Sequence, residues 1–283
     1  MTDASFGPVV STTWLAEHLG DPDLRVMDAT WYLPTLQRDA RAEYREAHLP
    51  GAVYFDIDAV ADRKSGLPHM LPDAAAFEQA AGALGIGERD RLVVYAGKYL
   101  SASARVWWTF RVFGHDRVAV LDGGLPRWRE EGRPVESGEP TPVTRRFTAR
   151  YRPEMVAALE GMRRNLETRR AQVLDARSAG RFAATEPEPR PGLRGGHIPG
   201  SLNLPYDRLF RRADGMLLAP GDLRRVFEDA RVDLGRPIVT TCGSGVTACV
   251  LALGLHLVGR PDVAVYDGSW SEWGGREDVP VER

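Results

Sequence analysis

The motif HLPG at residues 48–51 recurs as HIPG at residues 197–200, 149 residues later in the chain. Three further pairs of short segments match in the same order: residues 26–29 with 173–176, 93–97 with 239–243, and 120–123 with 265–268. All four separations lie between 145 and 149 residues. A repeat of this length indicates two copies of a domain rather than the short units of a solenoid.

The composition is that of an ordinary globular protein with room for two domains. The chain has 283 residues, 43% of them hydrophobic and 27% charged, with a formal net charge of −2. A charge so close to zero argues against binding to nucleic acid or to a membrane surface, so we expect neither partner. The longest apolar run, residues 246–259, is too short to span a bilayer.

The chain has only two cysteines, which excludes a disulfide framework and a zinc site built from four cysteines. Its first residues, MTDA, lack the basic and then apolar pattern of a secretion signal, so we expect a reduced, cytoplasmic setting. His48 and His197 occupy equivalent places before a Pro-Gly turn, which favours a role in turns and packing. We therefore expect no metal site and no other cofactor.

Each copy alternates short β-rich runs with helical patterns, which predicts an α/β fold with a mostly parallel sheet flanked by helices. In the second copy the predicted strands are residues 172–175, 201–204, 238–241 and 263–266. The predicted helices there are residues 220–230, with apolar side chains at helical spacing, and residues 246–258.

Residues 133–153 contain four prolines and show no sustained hydrophobic period. We therefore predict an N-terminal domain over residues 1–135, a linker over residues 136–153 and a C-terminal domain over residues 154–283. The C-terminal domain carries both cysteines.

Cys242 begins a Cys-Gly-Ser-Gly turn between a predicted strand and a predicted helix. The carboxyl ends of parallel strands are where α/β sheets bind their ligands. Two glycines let the backbone curl around one point, and the amino end of the next helix stabilises a thiolate there. A small buried cysteine at a strand end is the structural alternative, but the glycine-rich turn favours a nucleophile.

Cys249 lies seven residues further on, inside the apolar helix, and we interpret it as a packing residue. The position equivalent to Cys242 in the first copy is Ala96. The first copy is therefore predicted to lack the nucleophile, and either to be structural or to lend residues to the site of the second copy.

Two tandem copies with a cysteine only in the second resemble the rhodanese-type sulfurtransferases. The loop CGSGVTA at residues 242–248 resembles that of the 3-mercaptopyruvate sulfurtransferase branch, whereas thiosulfate-specific members typically carry Arg and Lys in this loop. The resemblance extends from Trp14 to Trp273 and includes the segments at residues 55–58, 69–72, 105–108, 180–182, 186–190 and 266–270. It implies two tandem rhodanese-like domains.

The resemblance also implies a set of site residues. Cys242 would be the nucleophile, with Arg181 and Arg190 binding the substrate carboxylate as forked cations. A proton relay would comprise Ser244, His69 and Asp58, with Asp58 orienting the imidazole. The remaining substrate-binding positions are those of the loop: Gly243, Gly245, Val246 and Thr247. Without the resemblance, the arginines would be surface residues of an Arg-rich chain, Ser244 a turn residue and His69 a loop histidine.

The reaction implied is transfer of sulfur from 3-mercaptopyruvate to Cys242 as a persulfide, with release of pyruvate. A thiol such as thioredoxin, or cyanide in an assay, would then accept the sulfur. The alternatives are a thiosulfate sulfurtransferase, a sulfur-carrier or regulatory module without turnover, and a cysteine phosphatase. A phosphatase would need an Arg at the end of the loop, which reads CGSGVTAC here.

Overall fold

The structure, a computed structural model, describes residues 6–97 and 100–283. These residues form two compact units. The first unit contains the chain up to Ala61, together with Pro72–Tyr151 and Arg212–Leu217. The second unit contains Asp62–Leu71, Arg152–Arg211 and Leu218–Arg283.

The first unit is built on a five-stranded sheet in the order β1-β5-β4-β2-β3, in which every strand pair is parallel. Its strands are β1 Val9–Val10, β2 Leu24–Asp28, β3 Val53–Tyr54, β4 Arg91–Tyr95 and β5 Val118–Leu121. Its helices are α1 Thr12–His18, α2 Ala40–Glu46, α3 Ile57–Val60, α4 Ala74–Ala83, α5 Ser101–Val112 and α6 Gly124–Glu130. Lys98 and Tyr99, between β4 and α5, lie outside the described residues.

The second unit repeats this topology with a parallel sheet in the order β6-β10-β9-β7-β8. Its strands are β6 Val156–Ala157, β7 Gln172–Asp175, β8 Leu202–Asn203, β9 Ile238–Thr241 and β10 Ala264–Tyr266. Its helices are α7 Leu159–Thr168, α8 Ala179–Phe182, α9 Pro220–Asp229, α10 Ala248–Leu257 and α11 Ser269–Trp273. The predicted duplication and the predicted parallel α/β sheet of each copy are confirmed.

The main difference from the predicted elements lies at the start of α10. The apolar run begins at Val246, but the helix begins at Ala248. Gly245 has a positive φ of 75°, so it continues the turn rather than entering the helix. The eight residues from Ala248 to Leu255 are all buried, which explains why α10 is apolar on every side.

In each copy the histidine pairs through its backbone with the segment that follows the last helix of that copy. His48 and His197 each form an antiparallel bridge, to Glu136 and Glu282 respectively. Each ring also contacts a backbone carbonyl through Nδ1, that of Tyr44 at 2.8 Å for His48 and that of Phe182 at 2.9 Å for His197. Both histidines therefore have the structural role that their equivalent positions predict.

Residues 136–151 pack within the first unit. Arg145 pairs with Asp90 through two hydrogen bonds of 2.7 and 2.8 Å, and the buried Phe147 meets Phe77 edge to face. The division into residues 1–135, 136–153 and 154–283 remains a proposal.

Over the described ranges, no helix is long and apolar enough to cross a membrane.

Each unit contains a segment from the other half of the sequence. Within the second unit, the Leu71 N–H donates to Asp267 Oδ2 at 2.8 Å. Within the first unit, the Leu217 N–H donates to Asp122 Oδ1 at 3.0 Å. The repeated aspartates that follow β5 and β10 thus act as acceptors for loop amides. The segment that carries His69 belongs to the same unit as Cys242.

Candidate active site

Cys242 is the first residue after β9 and is only 2% exposed. Its N–H donates to the Oγ of Ser269 at 3.2 Å, and its carbonyl accepts from the N–H of Trp270 at 2.9 Å. Both partners lie in the first turn of α11. The backbone of the cysteine is therefore fixed on both sides by a helix that follows the next strand.

Gly243 is held by the same helix. Its carbonyl accepts from both the N–H and the Oγ of Ser271, at 2.8 and 2.7 Å. Sequence reasoning missed Ser269 and Ser271 as supports of the cysteine turn. The signal in the sequence was that Ser269 stands where the first copy has Gly124. In the structure both residues have a positive φ.

The rest of the turn is anchored by the second cysteine. The Cys249 thiol, which is fully buried, donates to the carbonyl of Gly245 at 3.1 Å. Ser244 is buried within this turn, and Thr247 precedes the first residue of α10 without a capping hydrogen bond from its side chain. Cys242 and Cys249 are both free thiols. The amino end of α10 thus lies just beyond the cysteine turn, where a helix favours an anion such as a thiolate.

Arg181 lies against the cysteine turn. A Cβ placed on Gly243 would come within 2.9 Å of Arg181 Nη2, so glycine leaves room for the guanidinium. The side chain of Arg181 is 23% exposed and is held by Glu188. Its Nη2 and Nε both donate to Glu188 Oε2, at 2.6 and 3.2 Å. The structure therefore places this forked cation against Gly243, the residue after Cys242, and its binding of a substrate carboxylate stays a prediction.

Glu188 is itself held by a buried arginine that sequence reasoning missed. Arg177 is fully buried and donates to Glu188 Oε1 at 2.7 Å and to Asp175 Oδ2 at 2.6 Å. Its guanidinium also lies 4.3 Å from the ring centre of Trp270. Burial lowers the pKa of Arg177, but the adjacent carboxylates of Asp175 and Glu188 outweigh it and raise that pKa overall.

His69 and Arg190 form a second pair in this unit. Arg190 Nη2 lies 3.3 Å from His69 Nε2. Because a guanidinium has only donors, Nε2 is the acceptor in this contact. His69 is 5% exposed and has a positive φ of 61°, which marks a constrained loop position.

Asp58 lies in the first unit, in the first turn of α3, and its side chain is exposed. Its Oδ2 accepts from the indole N–H of Trp31 at 2.7 Å.

Six of the ten predicted site residues form one turn, with Arg181 against it: Cys242, Gly243, Ser244, Gly245, Val246 and Thr247. The relay of Ser244, His69 and Asp58 stays a prediction.

Comparison with known sequences bears on the two copies separately. The profile of the rhodanese-like domain matches residues 11–131 and again residues 159–276. The chain belongs to the rhodanese-like domain family. Each match contains four of the five strands of one parallel sheet, so the prediction of tandem rhodanese-like domains is confirmed.

Members of this family with curated names are similar over almost the whole chain. The chain is 48% identical to 3-mercaptopyruvate sulfurtransferase of Homo sapiens, covering 97% of this chain and 95% of that one. It is 45% identical to thiosulfate/3-mercaptopyruvate sulfurtransferase 1, mitochondrial, of Arabidopsis thaliana, covering 97% and 78%. The crystal structure of SseA from Escherichia coli, described as a 3-mercaptopyruvate sulfotransferase, matches with a TM-score of 0.86 at 39% identity, covering 93% of this chain and 98% of that chain.

Proposed function

We propose that this rhodanese-family protein is a sulfurtransferase that moves sulfur from 3-mercaptopyruvate to a thiol or to cyanide. One observation carries the proposal: Cys242 is fixed at the carboxyl end of β9, before the amino end of α10, with Arg181 against the next residue. The site thus offers a nucleophile, a helix end that favours its anion and a cation for a carboxylate.

The proposed first step breaks the carbon–sulfur bond of the donor. The Cys242 thiolate attacks the sulfur of 3-mercaptopyruvate and forms a sulfur–sulfur bond. The electron pair of the carbon–sulfur bond stays on carbon, which leaves as the enolate of pyruvate and takes up a proton. Arg181 and Arg190 would hold the donor carboxylate, and Gly243, Gly245, Val246 and Thr247 would surround the sulfur.

The proposed second step returns the enzyme to its starting state. An acceptor thiolate, such as that of thioredoxin, or cyanide attacks the outer sulfur of the Cys242 persulfide. The Cys242 thiolate then leaves, and the acceptor carries the sulfur away. Two half-reactions through a covalent intermediate predict ping-pong kinetics.

Proton handling by Ser244, His69 and Asp58 is part of the proposal. The contact between Arg190 and His69 supports it, because it places one proposed relay residue beside a proposed carboxylate-binding residue. In a His69→Asn variant, turnover with 3-mercaptopyruvate is expected to fall more than binding weakens. Unchanged turnover in that variant would remove His69 from the mechanism.

Thiosulfate is proposed as a weaker donor. The turn after Cys242 carries no Lys or Arg, and the charge of Arg181 is balanced by Glu188. A dianion such as thiosulfate therefore gains less attraction here than at a loop with free cations. We also propose a cytoplasmic location, which the two free thiols of Cys242 and Cys249 support, because thiols stay reduced there.

The decisive experiment is the mass of the protein after reaction with 3-mercaptopyruvate and no acceptor. The wild-type chain is expected to gain one sulfur atom on Cys242 and to lose it when a thiol is added. Cys242→Ser is expected to gain none and to lose all turnover. Cys249→Ser, whose hydroxyl keeps the donor to Gly245, is the control and should retain most of the activity. Loss of activity in Cys249→Ser alone would overturn the assignment.

A further inference from the structure

The carboxylate of Glu188 joins two arginines of different character. Its side chain is 3% exposed, and each of its oxygens serves one partner. Oε1 accepts from Arg177, which is fully buried, and Oε2 accepts from Arg181, which reaches the cysteine turn. Glu188 is therefore the link between a fixed buried cation and a cation of the proposed site.

The buried side of this link cannot shift easily. Arg177 donates to both oxygens of Asp175 and to the carbonyl of Gly196 at 2.8 Å, and it lies against the ring of Trp270. A guanidinium with this many partners has a single orientation. Glu188, bound to it, is held in place, and Glu188 in turn fixes where Arg181 stands.

The four side chains also cancel in charge. Asp175 and Glu188 are the carboxylates, and Arg177 and Arg181 are the guanidiniums, joined in one chain of ion pairs. Arg181 therefore acts at the cysteine turn as half of an ion pair rather than as a free cation. Only its Nε and one Nη2 proton point to Glu188, so the remaining N–H groups stay available to a ligand.

We propose that Glu188 is a positioning residue that sets the choice of sulfur donor through Arg181. This inference rests on the proposed function and names its specificity determinant. By balancing the charge of Arg181, the carboxylate limits the attraction for a dianion more than for a monoanion, because Coulomb attraction scales with the charge of the ligand. A monoanionic 2-oxo acid thiol is thereby favoured over a doubly charged sulfur oxyanion.

The test is the substitution Glu188→Gln, which keeps the size of the side chain and removes its charge. The ratio of kcat/KM for thiosulfate to kcat/KM for 3-mercaptopyruvate is expected to rise roughly tenfold. The gain with thiosulfate should shrink as salt is added, because it is a gain in charge attraction. A loss of packing alone would lower kcat/KM for both donors by the same factor. An unchanged ratio of the two kcat/KM values would overturn the proposal.

The matched control is Glu186→Gln in the same loop. Glu186 is exposed, and its Oε2 accepts from Ser178 Oγ at 2.7 Å rather than from an arginine. Its substitution should leave the donor ratio within twofold of wild type. A change as large as that of Glu188→Gln would show that loop charge in general, and not Glu188, sets the ratio.

Glu188→Asp keeps the charge and shortens the reach, so it tests positioning even where Glu188→Gln does not fold. We expect a severalfold higher KM for 3-mercaptopyruvate, with kcat within twofold and the donor ratio unchanged. A fall in kcat at constant KM would contradict a role through Arg181.

Equilibrium binding separates this inference from the proposed function. In a Cys242→Ser background, which cannot turn over, calorimetry with thiosulfate and with pyruvate measures anion preference directly. The Glu188→Gln change should shift that preference toward thiosulfate even if the wild-type protein takes no sulfur from 3-mercaptopyruvate. No shift in binding would overturn the role of Glu188 whatever the reaction.

Discussion

At the scale of single residues, the cysteine turn depends on a serine in a conformation that favours glycine. Ser269 has a φ of 50°, and the equivalent Gly124 of the first copy has a φ of 54°. The left-handed conformation costs a non-glycine residue on the order of 1 kcal/mol. In the second copy the side chain offsets this cost, because its Oγ accepts from the Cys242 N–H and donates to the Tyr266 carbonyl at 2.7 Å.

A methyl group added at Gly243 should weaken substrate binding without destabilising the fold. In Gly243→Ala the new Cβ would stand 2.9 Å from Arg181 Nη2, and the ion pair with Glu188 restrains the guanidinium from moving away. We expect the KM for 3-mercaptopyruvate to rise roughly five- to tenfold, with little change in the melting temperature. Steady-state kinetics and a thermal melt measure the two effects.

Gly161→Ala is the matched control for that substitution. Gly161 lies in α7 with negative φ and no heavy atom within 4 Å of an added Cβ. The variant should keep the wild-type KM and gain about 0.5–1 kcal/mol of stability, since alanine favours a helix interior. An equal rise in KM in both variants would show that Arg181 is not the cause.

At the scale of secondary-structure elements, a buried tryptophan in the last helix of each copy makes the same hydrogen bond. The indole N–H of Trp128 in α6 donates to the carbonyl of Pro134 at 2.7 Å, and that of Trp273 in α11 donates to Pro280 at 2.8 Å. Both rings are fully buried. Each tryptophan thus ties the last helix of its copy to the chain segment that follows, while filling the core between helix and sheet.

Replacing either tryptophan with phenylalanine should lower the free energy of unfolding of its unit by a similar amount. Trp128→Phe and Trp273→Phe remove a buried donor, leave a carbonyl unpaired and create a small cavity. We expect each to lower the free energy of unfolding by about 2–3 kcal/mol. Urea unfolding of both variants measures the loss. A loss below about 0.5 kcal/mol in either would show that the hydrogen bond and the packing are dispensable.

At the scale of the whole molecule, the two units share one topology but differ in the residue that follows the central strand. Ala96 follows β4 in the first unit and Cys242 follows β9 in the second, and both are buried. In each unit the next strand of the sheet bonds to this end: the Ala29 N–H donates to Tyr95 and the Ala176 N–H donates to Thr241. The scaffold is shared, and at this position one unit carries an alanine and the other the cysteine that we propose as the nucleophile.

The first unit should lose stability in mild acid because of His115. This residue is 6% exposed, its Nε2 lies 3.0 Å from the Asp90 carbonyl, and burial lowers the pKa of its imidazole below the ordinary value of 6.5. A folded-state pKa below the unfolded one means that the unfolded chain binds the proton more readily. The stabilisation is therefore complete above about pH 6.5 and is lost as the pH falls.

The substitution His115→Gln isolates this effect, since glutamine keeps an N–H donor and does not titrate. Urea unfolding at pH 7.5 and at pH 5 should show a smaller loss of stability for the variant than for wild type. Equal losses in the two proteins would assign the acid sensitivity to other groups.

The sequence alone determined the duplication, the parallel α/β sheets and the position of Cys242. These follow from patterns that are local or repeated: hydrophobic runs of strand and helix length, matching motifs, and a glycine-rich turn between a strand and a helix. Chain geometry dictates such features over a few residues, so a single sequence reveals them.

Only the tertiary structure decided which distant residues support the cysteine turn and which distant residues pair elsewhere in the same unit. Ser269 lies 27 residues from Cys242, and Arg190 lies 121 residues from His69, so no local period connects them. The parallel order of the strands brings the ends of β9 and β10 side by side, and packing of Asp62–Leu71 into the second unit brings His69 to Arg190. Glu188 gained its role in the same way, because an ion-pair chain is defined by where buried side chains meet rather than by their order in the sequence.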